Sequence, residues 1–334
     1  MLCLSLSLSL TYHSFIYATL FTEQNLPQDK VIAALENMAI LHATYWDRMD
    51  EYEWTPSNKK LVKECAWLQR LILGMDTGNM FNKTQLTFHK DKALEKYIKD
   101  YTSTAPGRGT EVWKRFLGKD SEMPLTDPKC VEAFEALKVA MADEAVQKRI
   151  FENLTPLTMC HGDCHGWNHM FPTDSNSDSS RAVVAVDFGF VGEGRPAWDL
   201  AYFFAMSVDA SNFKNEVAAL KAYYAKLTSV SEQIGGKFNP SEYSYEEFET
   251  DFFCGGIAYA IKTVNNAGIF DTKALVVQAN KKDGGKGESL SWNICSMGQR
   301  MCIRTKTYYE NGVFDKIAGK KGATTVNKLS AGSV

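Results

Sequence analysis

A short stretch with strand character interrupts an otherwise helical pattern, and it restricts the possible folds more than any other feature. Apolar residues at three- and four-residue steps and local start signals predict helices over 28–49, 58–75, 91–101, 110–117, 128–153, 196–207, 212–227, 244–264, 272–281 and 289–309. Strand character is confined to residues 158–160, 168–171 and 181–188. The last segment is rich in β-branched residues and is expected to be buried. We therefore expect an α+β fold, a mostly helical body carrying a small β hairpin.

Charge and cysteine content exclude several classes of protein. The formal net charge is −3, so the chain lacks the basic character of a nucleic-acid-binding protein or of a protein that binds an anionic membrane surface. Eight cysteines are spread over 334 residues, too long a chain for a small disulfide-stapled domain. We expect reduced thiols and a cytoplasmic protein.

The first 27 residues form an atypical segment. MLCLSLSLSL is apolar, but serine at every second position makes a poor membrane span, and the positive region of a secretory signal is missing. We favour an unusual edge strand or a non-native start, with a signal peptide or anchor as the alternative. The tail 318–334 is rich in glycine, serine, threonine and lysine and is expected to fray.

Residues 160–171, CHGDCHGWNHMF, are compatible with several kinds of site. Structural zinc usually takes two separated ligand pairs, and no second Cys/His pair lies elsewhere. Covalent haem attachment needs C-x-x-C-H, and here the two cysteines stand one residue further apart. A buried cluster without chemistry would use Cys160 and Cys164 as core fillers. The possible zinc ligands are Cys160, His161, Cys164, His165 and His169.

A fourth interpretation, which we favour, uses different residues of the same region. Asp163 and Asn168 lie five positions apart on a loop, and Asp187 ends a strand after a polar hairpin loop. A nucleotide phosphotransferase needs one carboxylate to take the proton of the acceptor hydroxyl. It also needs an amide oxygen and a second carboxylate to hold Mg²⁺ against the nucleotide phosphates. Asp163, Asn168 and Asp187 are the candidates for these roles, and the expected cofactors are ATP and Mg²⁺.

Two motifs in this order resemble the aminoglycoside phosphotransferase and choline kinase superfamily. HGDCHGWN at 161–168 is similar to its H-G-D-x-H-x-x-N loop, and VDFGFVGEGRPAWDLAYF at 186–203 to its strand aspartate and following Asp-Leu-Ala. LENMAILHATYW at 35–46 resembles the first helix of the C-lobe, and later segments resemble the ecdysteroid-kinase-like branch. The resemblance implies a protein-kinase-like C-lobe and phosphorylation of a small-molecule hydroxyl.

The resemblance also implies residue roles. It makes Asp163 the catalytic base and Asn168 and Asp187 the Mg²⁺ ligands. His161 and Asp199 match positions that brace the catalytic loop by hydrogen bonds. His165 matches a frequent family histidine, whose role we leave open.

The resemblance begins at about residue 28, where the C-lobe of the family begins. We therefore expect a C-lobe over 28–317 and no N-lobe before it, since no lysine precedes Lys30 to pair with the nucleotide phosphates. Two alternatives follow: an incomplete version of an active kinase, which we favour, or a catalytically inactive lobe that binds a metabolite or protein partner. The aromatic stretch 243–253 lies where an acceptor pocket is expected, but we assign it to the core.

Overall fold

Helices form most of the computed structural model, which describes residues 26–48, 128–151, 156–171, 183–188, 191–269 and 300–319. A further helical segment covers 300–310. The helices are α1 (Gln28–Tyr45), α2 (Pro128–Ala142), α3 (Glu144–Phe151), α4 (Pro196–Ser207), α5 (Phe213–Ile234), α6 (Tyr245–Ile269) and α7 (Val313–Ile317). The mostly helical character expected from the sequence is confirmed for these residues.

Four short strands form two antiparallel pairs. β1 (Thr158–Cys160) pairs with β4 (Gly192–Gly194), with Met159 opposite Glu193. β2 (His169–Met170) pairs with β3 (Val184–Ala185), with His169 opposite Ala185. The loop 161–168 connects β1 to β2 and ends in a single 3₁₀ turn, Gly166–Asn168. Both pairs therefore adjoin the loop in which the sequence concentrates its polar residues.

The core is aromatic and lies between the long helices. α1 packs against α5, and α4 packs against α6. The largest side chains that are almost completely buried include Tyr223, Phe203, Phe204, Phe248, Phe252 and Phe253. Three of these belong to the stretch 243–253, so the prediction that this stretch serves the core is confirmed.

A buried ion pair ties the C-terminal part of the described chain to α4 and α5. Nε of Arg304 lies 3.3 Å from Oε2 of Glu216, and the Tyr308 hydroxyl donates to Oε1 of the same carboxylate at 2.5 Å. Arg304 also donates to the Phe204 carbonyl at 2.7 Å. Because every charged atom has a partner, this cluster can stay inside the core.

The prediction of one continuous helix over 128–153 is wrong. The segment divides into α2 and α3 at Asp143. Oδ1 of Asp143 accepts hydrogen bonds from the backbone N–H groups of Ala145 at 2.9 Å and Val146 at 3.3 Å. An aspartate side chain that captures these donors caps a new helix and competes with the continuation of the old one.

The strand predicted over 181–188 is shorter and less buried than expected. β3 contains two residues, and Val184 is 52% exposed whereas Val183 is 9% exposed. Successive side chains on a strand point to opposite faces, so a β-branched run alone does not specify burial on both. The strand predicted over 168–171 is likewise shorter, because Asn168 belongs to the 3₁₀ turn.

Other boundaries differ by a few residues, and some predictions fall outside the described residues. α1 ends four residues earlier than expected, α5 continues to Ile234 before Gly235 turns left-handed, and α6 continues to Ile269. Among the described helices, none has both the length and the apolar character needed to cross a bilayer. Outside the described residues lie the predicted helices 58–75, 91–101, 110–117 and 272–281, residues 289–299 of the last predicted helix, the hairpin loop 173–180, the segment 1–25 and the tail from 320.

Candidate active site

Two glycines shape the loop 161–168. Gly162 has φ 81°, a left-handed conformation that glycine adopts without steric cost. The backbone N–H of Gly166 donates to the Ser207 hydroxyl at 2.6 Å, at the end of α4. A Cβ at Gly166 would stand 2.8 Å from a methyl carbon of Leu26 and 3.1 Å from that hydroxyl oxygen. A side chain at this position would therefore require Leu26 and Ser207 to shift.

Asp199 binds the start of the loop from the first turn of α4. Its two carboxylate oxygens accept the backbone N–H groups of His161 at 2.8 Å and Gly162 at 3.1 Å. The side chain is almost completely buried. Burial acts to raise the pKa of Asp199, but the hydrogen bonds and charges of His42 and His161 hold the pKa below its ordinary value. The carboxylate is therefore ionised at neutral pH.

His42 of α1 completes this brace, and the sequence did not identify it. Nε2 of His42 lies 3.4 Å from Oδ2 of Asp199, and its Nδ1 lies 2.7 Å from the Tyr223 hydroxyl on α5. The ring is fully buried. The one sequence feature that could have pointed to His42 was its place on the apolar face of a predicted helix, in the LENMAILHATYW stretch.

Three residues with potential metal-ligating atoms lie close together, and as a group they differ from the zinc ligands considered above. Single atoms of His42, Cys160 and Asp199 lie within 4.8 Å of one another. Both nitrogens of His42 and both oxygens of Asp199 already have hydrogen-bond partners, however, and all three residues are buried. Hydrogen bonding explains this cluster without an ion.

His161 links the loop to the end of β3. Its Nε2 lies 2.8 Å from the Val186 carbonyl oxygen, which fixes the proton on Nε2. Its Nδ1 then accepts the backbone N–H of Asp163 at 3.3 Å. The ring is fully buried and lies at 37° to the ring of Phe188, with the two centroids 4.5 Å apart.

Asp163 lies at the tip of the loop, partly exposed. Tyr202 of α4 donates its hydroxyl to Oδ1 at 2.9 Å. Oδ2 has longer contacts, 3.4 Å to Nδ2 of Asn168 and 3.5 Å to Nε2 of His165. Burial acts to raise the pKa of Asp163, but His165 and the hydrogen bond from Tyr202 lower it below its ordinary value. An ionised carboxylate that reaches solvent can accept a proton from a bound hydroxyl.

Asn168 and Asp187 lie on neighbouring chain segments. The β2–β3 register continues through a bond from the Val186 backbone N–H to the Asn168 carbonyl at 2.9 Å, one residue before Asp187. Nδ2 of Asn168 donates to the Asp163 backbone carbonyl at 2.9 Å. The side-chain oxygen of Asn168 therefore points away from that carbonyl. Asp187 is exposed and has φ 60°. Amide and carboxylate oxygens are ligands that suit Mg²⁺.

His169 and the cysteines near the loop are buried. Nδ1 of His169 lies 3.0 Å from the His165 carbonyl oxygen, and burial lowers the pKa of His169 to about 4. Cys160 and Cys164 are 3% and 0% exposed, so their prediction as small core residues is confirmed. Burial, with the charge of Asp199, raises the pKa of the Cys164 thiol well above its ordinary value, so it stays protonated.

Comparison with known proteins gives one family. The model of the ecdysteroid kinase-like family matches residues 69–236, just over half of the 334-residue chain. The matched range contains the loop 161–168, the strand end with Asp187, and α4 and α5. No curated protein and no solved structure gives a significant match to the chain.

Proposed function

The chain belongs to the ecdysteroid kinase-like family, and from this membership we propose that it is an ATP-dependent phosphotransferase whose acceptor is a hydroxyl group of a small molecule. The observation that carries the proposal is the environment of Asp163. Its carboxylate is partly exposed, has a pKa below the ordinary value, and is held by Tyr202 on one oxygen only. The carboxylate is therefore ionised at neutral pH, and its other oxygen can accept the proton of a substrate hydroxyl.

In this proposal Asp163 takes the proton of the acceptor hydroxyl. A carboxylate that is ionised at neutral pH needs no prior loss of a proton. The hydroxyl would approach Oδ2, because Oδ1 accepts the Tyr202 hydroxyl at 2.9 Å and the contacts of Oδ2 are longer. His165, 3.5 Å from Oδ2, lies at the edge of this position.

Asn168 and Asp187 would hold Mg²⁺ with the nucleotide phosphates. The donor set fits the ion, since both residues offer oxygen and Asn168 directs its nitrogen to Asp163. When bound, the ion would neutralise negative charge on the phosphates during transfer. Asp199 and His161 act on the loop backbone and would keep Asp163 in place, since misplacing a catalytic group by a fraction of an ångström slows the reaction.

The direct test is transfer of ³²P from [γ-³²P]ATP with MgCl₂ to a panel of hydroxyl compounds, including choline, sugars, aminoglycosides and sterols. We expect a labelled product for at least one class, and a loss of about 10²–10⁴-fold in rate for Asp163→Asn, which keeps the shape of the side chain. Equal rates in the wild type and this variant would contradict the assignment.

The alternative is a lobe of the same fold that binds a metabolite or partner without catalysis. Thermal unfolding separates the two when it is measured on the full chain with and without MgATP. A ligand that binds the folded state raises the midpoint. A raised midpoint together with transfer supports the kinase, whereas transfer to no acceptor and an unchanged midpoint favour the alternative.

A further inference from the structure

Tyr202 contacts the catalytic carboxylate directly, although the sequence analysis assigns it no role and it is not part of the brace of the loop. Its hydroxyl donates to Oδ1 of Asp163 at 2.9 Å. Burial, and then the negative charge of Asp163, raises the pKa of Tyr202 well above its ordinary value. The hydroxyl therefore remains protonated and remains a donor.

The position of Tyr202 follows from its place on α4. It stands three residues after Asp199, so both side chains project from the same face of the helix. Asp199 binds the backbone at the start of the loop, and Tyr202 binds the side chain two residues further on. The Tyr202 ring is supported by the buried ring of Tyr259 on α6, with centroids 5.2 Å apart. One helix thus determines both the path of the loop and the direction of the Asp163 carboxylate.

The two oxygens of Asp163 are not equivalent. Oδ1 has a hydrogen bond of ordinary length from Tyr202. Oδ2 has Asn168 at 3.4 Å and His165 at 3.5 Å, both at or beyond the limit of a useful hydrogen bond. An acceptor hydroxyl can therefore replace the weak contacts of Oδ2 without breaking the bond of Oδ1.

Other tyrosine–carboxylate pairs of the described chain differ from this one in their charge partners. Tyr308 donates to Glu216, which also meets Arg304 at 3.3 Å. Tyr243 donates to Asp251, which also meets Arg195 at 2.6 Å and Arg149 at 2.9 Å. Among the described residues, Asp163 has no arginine or lysine partner and has only histidine as a possible cation. The Tyr202–Asp163 pair therefore differs from these two clusters, in which a buried arginine neutralises the carboxylate.

We propose that Tyr202 is a positioning residue of the reaction, which holds Oδ1 of Asp163 so that Oδ2 faces the acceptor hydroxyl and takes its proton. The inference rests on the proposed phosphotransferase function and adds a residue to it. Tyr202 does not exchange a proton in the reaction. Its removal should therefore change the protonation of Asp163 and the rate of transfer, and leave MgATP binding unchanged.

The first part of the test needs no substrate. The full chain is labelled with [4-¹³C]aspartate, the Asp163 signal is assigned by its loss in Asp163→Asn, and its titration is followed by NMR. Tyr202→Phe should move the titration midpoint of Asp163 to higher pH, because a donor to the ionised form is lost. The other titratable groups that act on Asp163 in the described residues, His161, His165 and Cys164, are the same in both proteins.

Tyr308→Phe is the matched control, since it removes a tyrosine hydroxyl from a different carboxylate, the buried Glu216. The Asp163 midpoint should not move in this variant. Site-specific 3-fluorotyrosine at position 202 gives a second variant that keeps the hydroxyl and makes it a stronger donor. It should move the Asp163 midpoint to lower pH, and so keeps the inference testable if Tyr202→Phe does not fold.

The second part uses the acceptor found in the transfer assay. In Tyr202→Phe we expect the acid limb of the kcat/KM profile to move to higher pH with the NMR midpoint, and kcat to fall at least about tenfold with unchanged KM for MgATP. If the wild type transfers phosphate but Tyr202→Phe moves neither the Asp163 midpoint nor the acid limb, only the role of Tyr202 is overturned. Absence of transfer to any acceptor by the wild type would overturn the phosphotransferase and the positioning role with it, whatever the NMR result.

Discussion

The two sides of the candidate site are built differently. The base side, meaning Asp163 and the residues that contact it, is held from the loop and from α4, with α1 behind it through His42. Of the two proposed Mg²⁺ ligands, Asn168 is buried and lies on the base side, whereas Asp187 and the backbone beside it form the metal side, where Asp187 is exposed. The metal side is tied to the loop by the bond from the Val186 N–H to the Asn168 carbonyl at 2.9 Å.

The difference agrees with the role that the proposed function gives to each side. A general base must meet the acceptor hydroxyl at hydrogen-bond distance, and only the protein can hold it there. A metal ligand carries a charge that attracts the ion, so the ion itself helps to set its final position. We therefore expect the base side to be formed before ligands bind and the metal side to be completed by them. The following changes test that expectation.

The largest effects should come from exchanging each aspartate for asparagine. Asp187→Asn should lower turnover by about 10²-fold or more and weaken MgATP binding, because a carboxylate ligand is lost. Asp163→Asn should lower turnover by about 10²–10⁴-fold and leave MgATP binding within about twofold. Calorimetric titration with MgATP and the ³²P transfer assay measure the two properties separately.

Asp47→Asn is the control for the Asp187 variant. Asp47 is exposed and also has a positive φ, 49°, a conformation that asparagine tolerates. Neither binding nor turnover should change in this variant. If Asp163→Asn weakened MgATP binding as much as Asp187→Asn does, the division into a base side and a metal side would be wrong.

The next largest effect should come from the brace beneath the base side. Asp199→Asn keeps one acceptor oxygen, so one of the backbone N–H groups of His161 and Gly162 loses its buried partner. We expect a loss of about 3 kcal/mol in the free energy of unfolding, measured with urea, and a loss of turnover. Glu310→Gln, in an exposed pair with Lys129 at 3.3 Å, should cost no more than about 0.5 kcal/mol.

The stability difference between the wild type and Asp199→Asn should also depend on pH. Because the pKa of Asp199 lies below 3.8, its ordinary value, the charged carboxylate stabilises the folded state above that pH. The contribution is lost as the pH falls through the lower pKa of the folded state. Urea unfolding at a series of pH values should give a constant difference from pH 8 to 5 and a smaller one below 3.8. If the stability difference between the wild type and Asp199→Asn grew as the pH fell, the proposed role of the ionised Asp199 carboxylate would be wrong.

His169, in the strand between the two sides, should control stability in a higher pH range. Burial lowers its pKa from 6.5 to about 4, so the unfolded chain binds a proton that the folded chain does not. Stability should fall by about 3 kcal/mol as the pH drops from 6.5 to 4. His169→Asn can keep the donor to the His165 carbonyl and should remove this dependence. An equally steep fall in the variant would assign the dependence to another group.

Features with a local cause were predictable from the sequence. The helix over 196–207 is confirmed residue by residue, because Pro196 stands at its first position. The strand 158–160 is also confirmed. The capping box at Ser244 is confirmed by two hydrogen bonds, from the Ser244 N–H to Glu247 at 2.9 Å and from the Glu247 N–H to the Ser244 hydroxyl at 3.2 Å.

Contacts between distant residues were not predictable from the sequence. His42 meets Asp199 across 157 positions, and Tyr202 meets Asp163 across 39. In the sequence both His42 and Tyr202 are members of an apolar helical face, and periodicity assigns such residues to the core. Only the packing of α1 and α4 around the loop turns their polar atoms toward it. The motif residues, including His161 and Asp199 of the brace, could be found because they belong to local patterns, whereas the supporting roles of His42 and Tyr202 could not.

The variant with the smallest expected effect distinguishes a general loss of stability from a local displacement of the loop. Ser244→Ala removes the cap of α6 and should lower the free energy of unfolding by about 1 kcal/mol, measured with urea. The cap belongs to neither side of the site, so MgATP binding and turnover should stay unchanged at temperatures below the transition. Ser241→Ala, on the exposed turn before the cap, is the control for a serine whose side chain has no described capping role. If turnover fell in Ser244→Ala as it does in Asp199→Asn, the loss in the brace variant would reflect a weaker fold and not a displaced loop. The contrast between the two sides would then lose its structural basis.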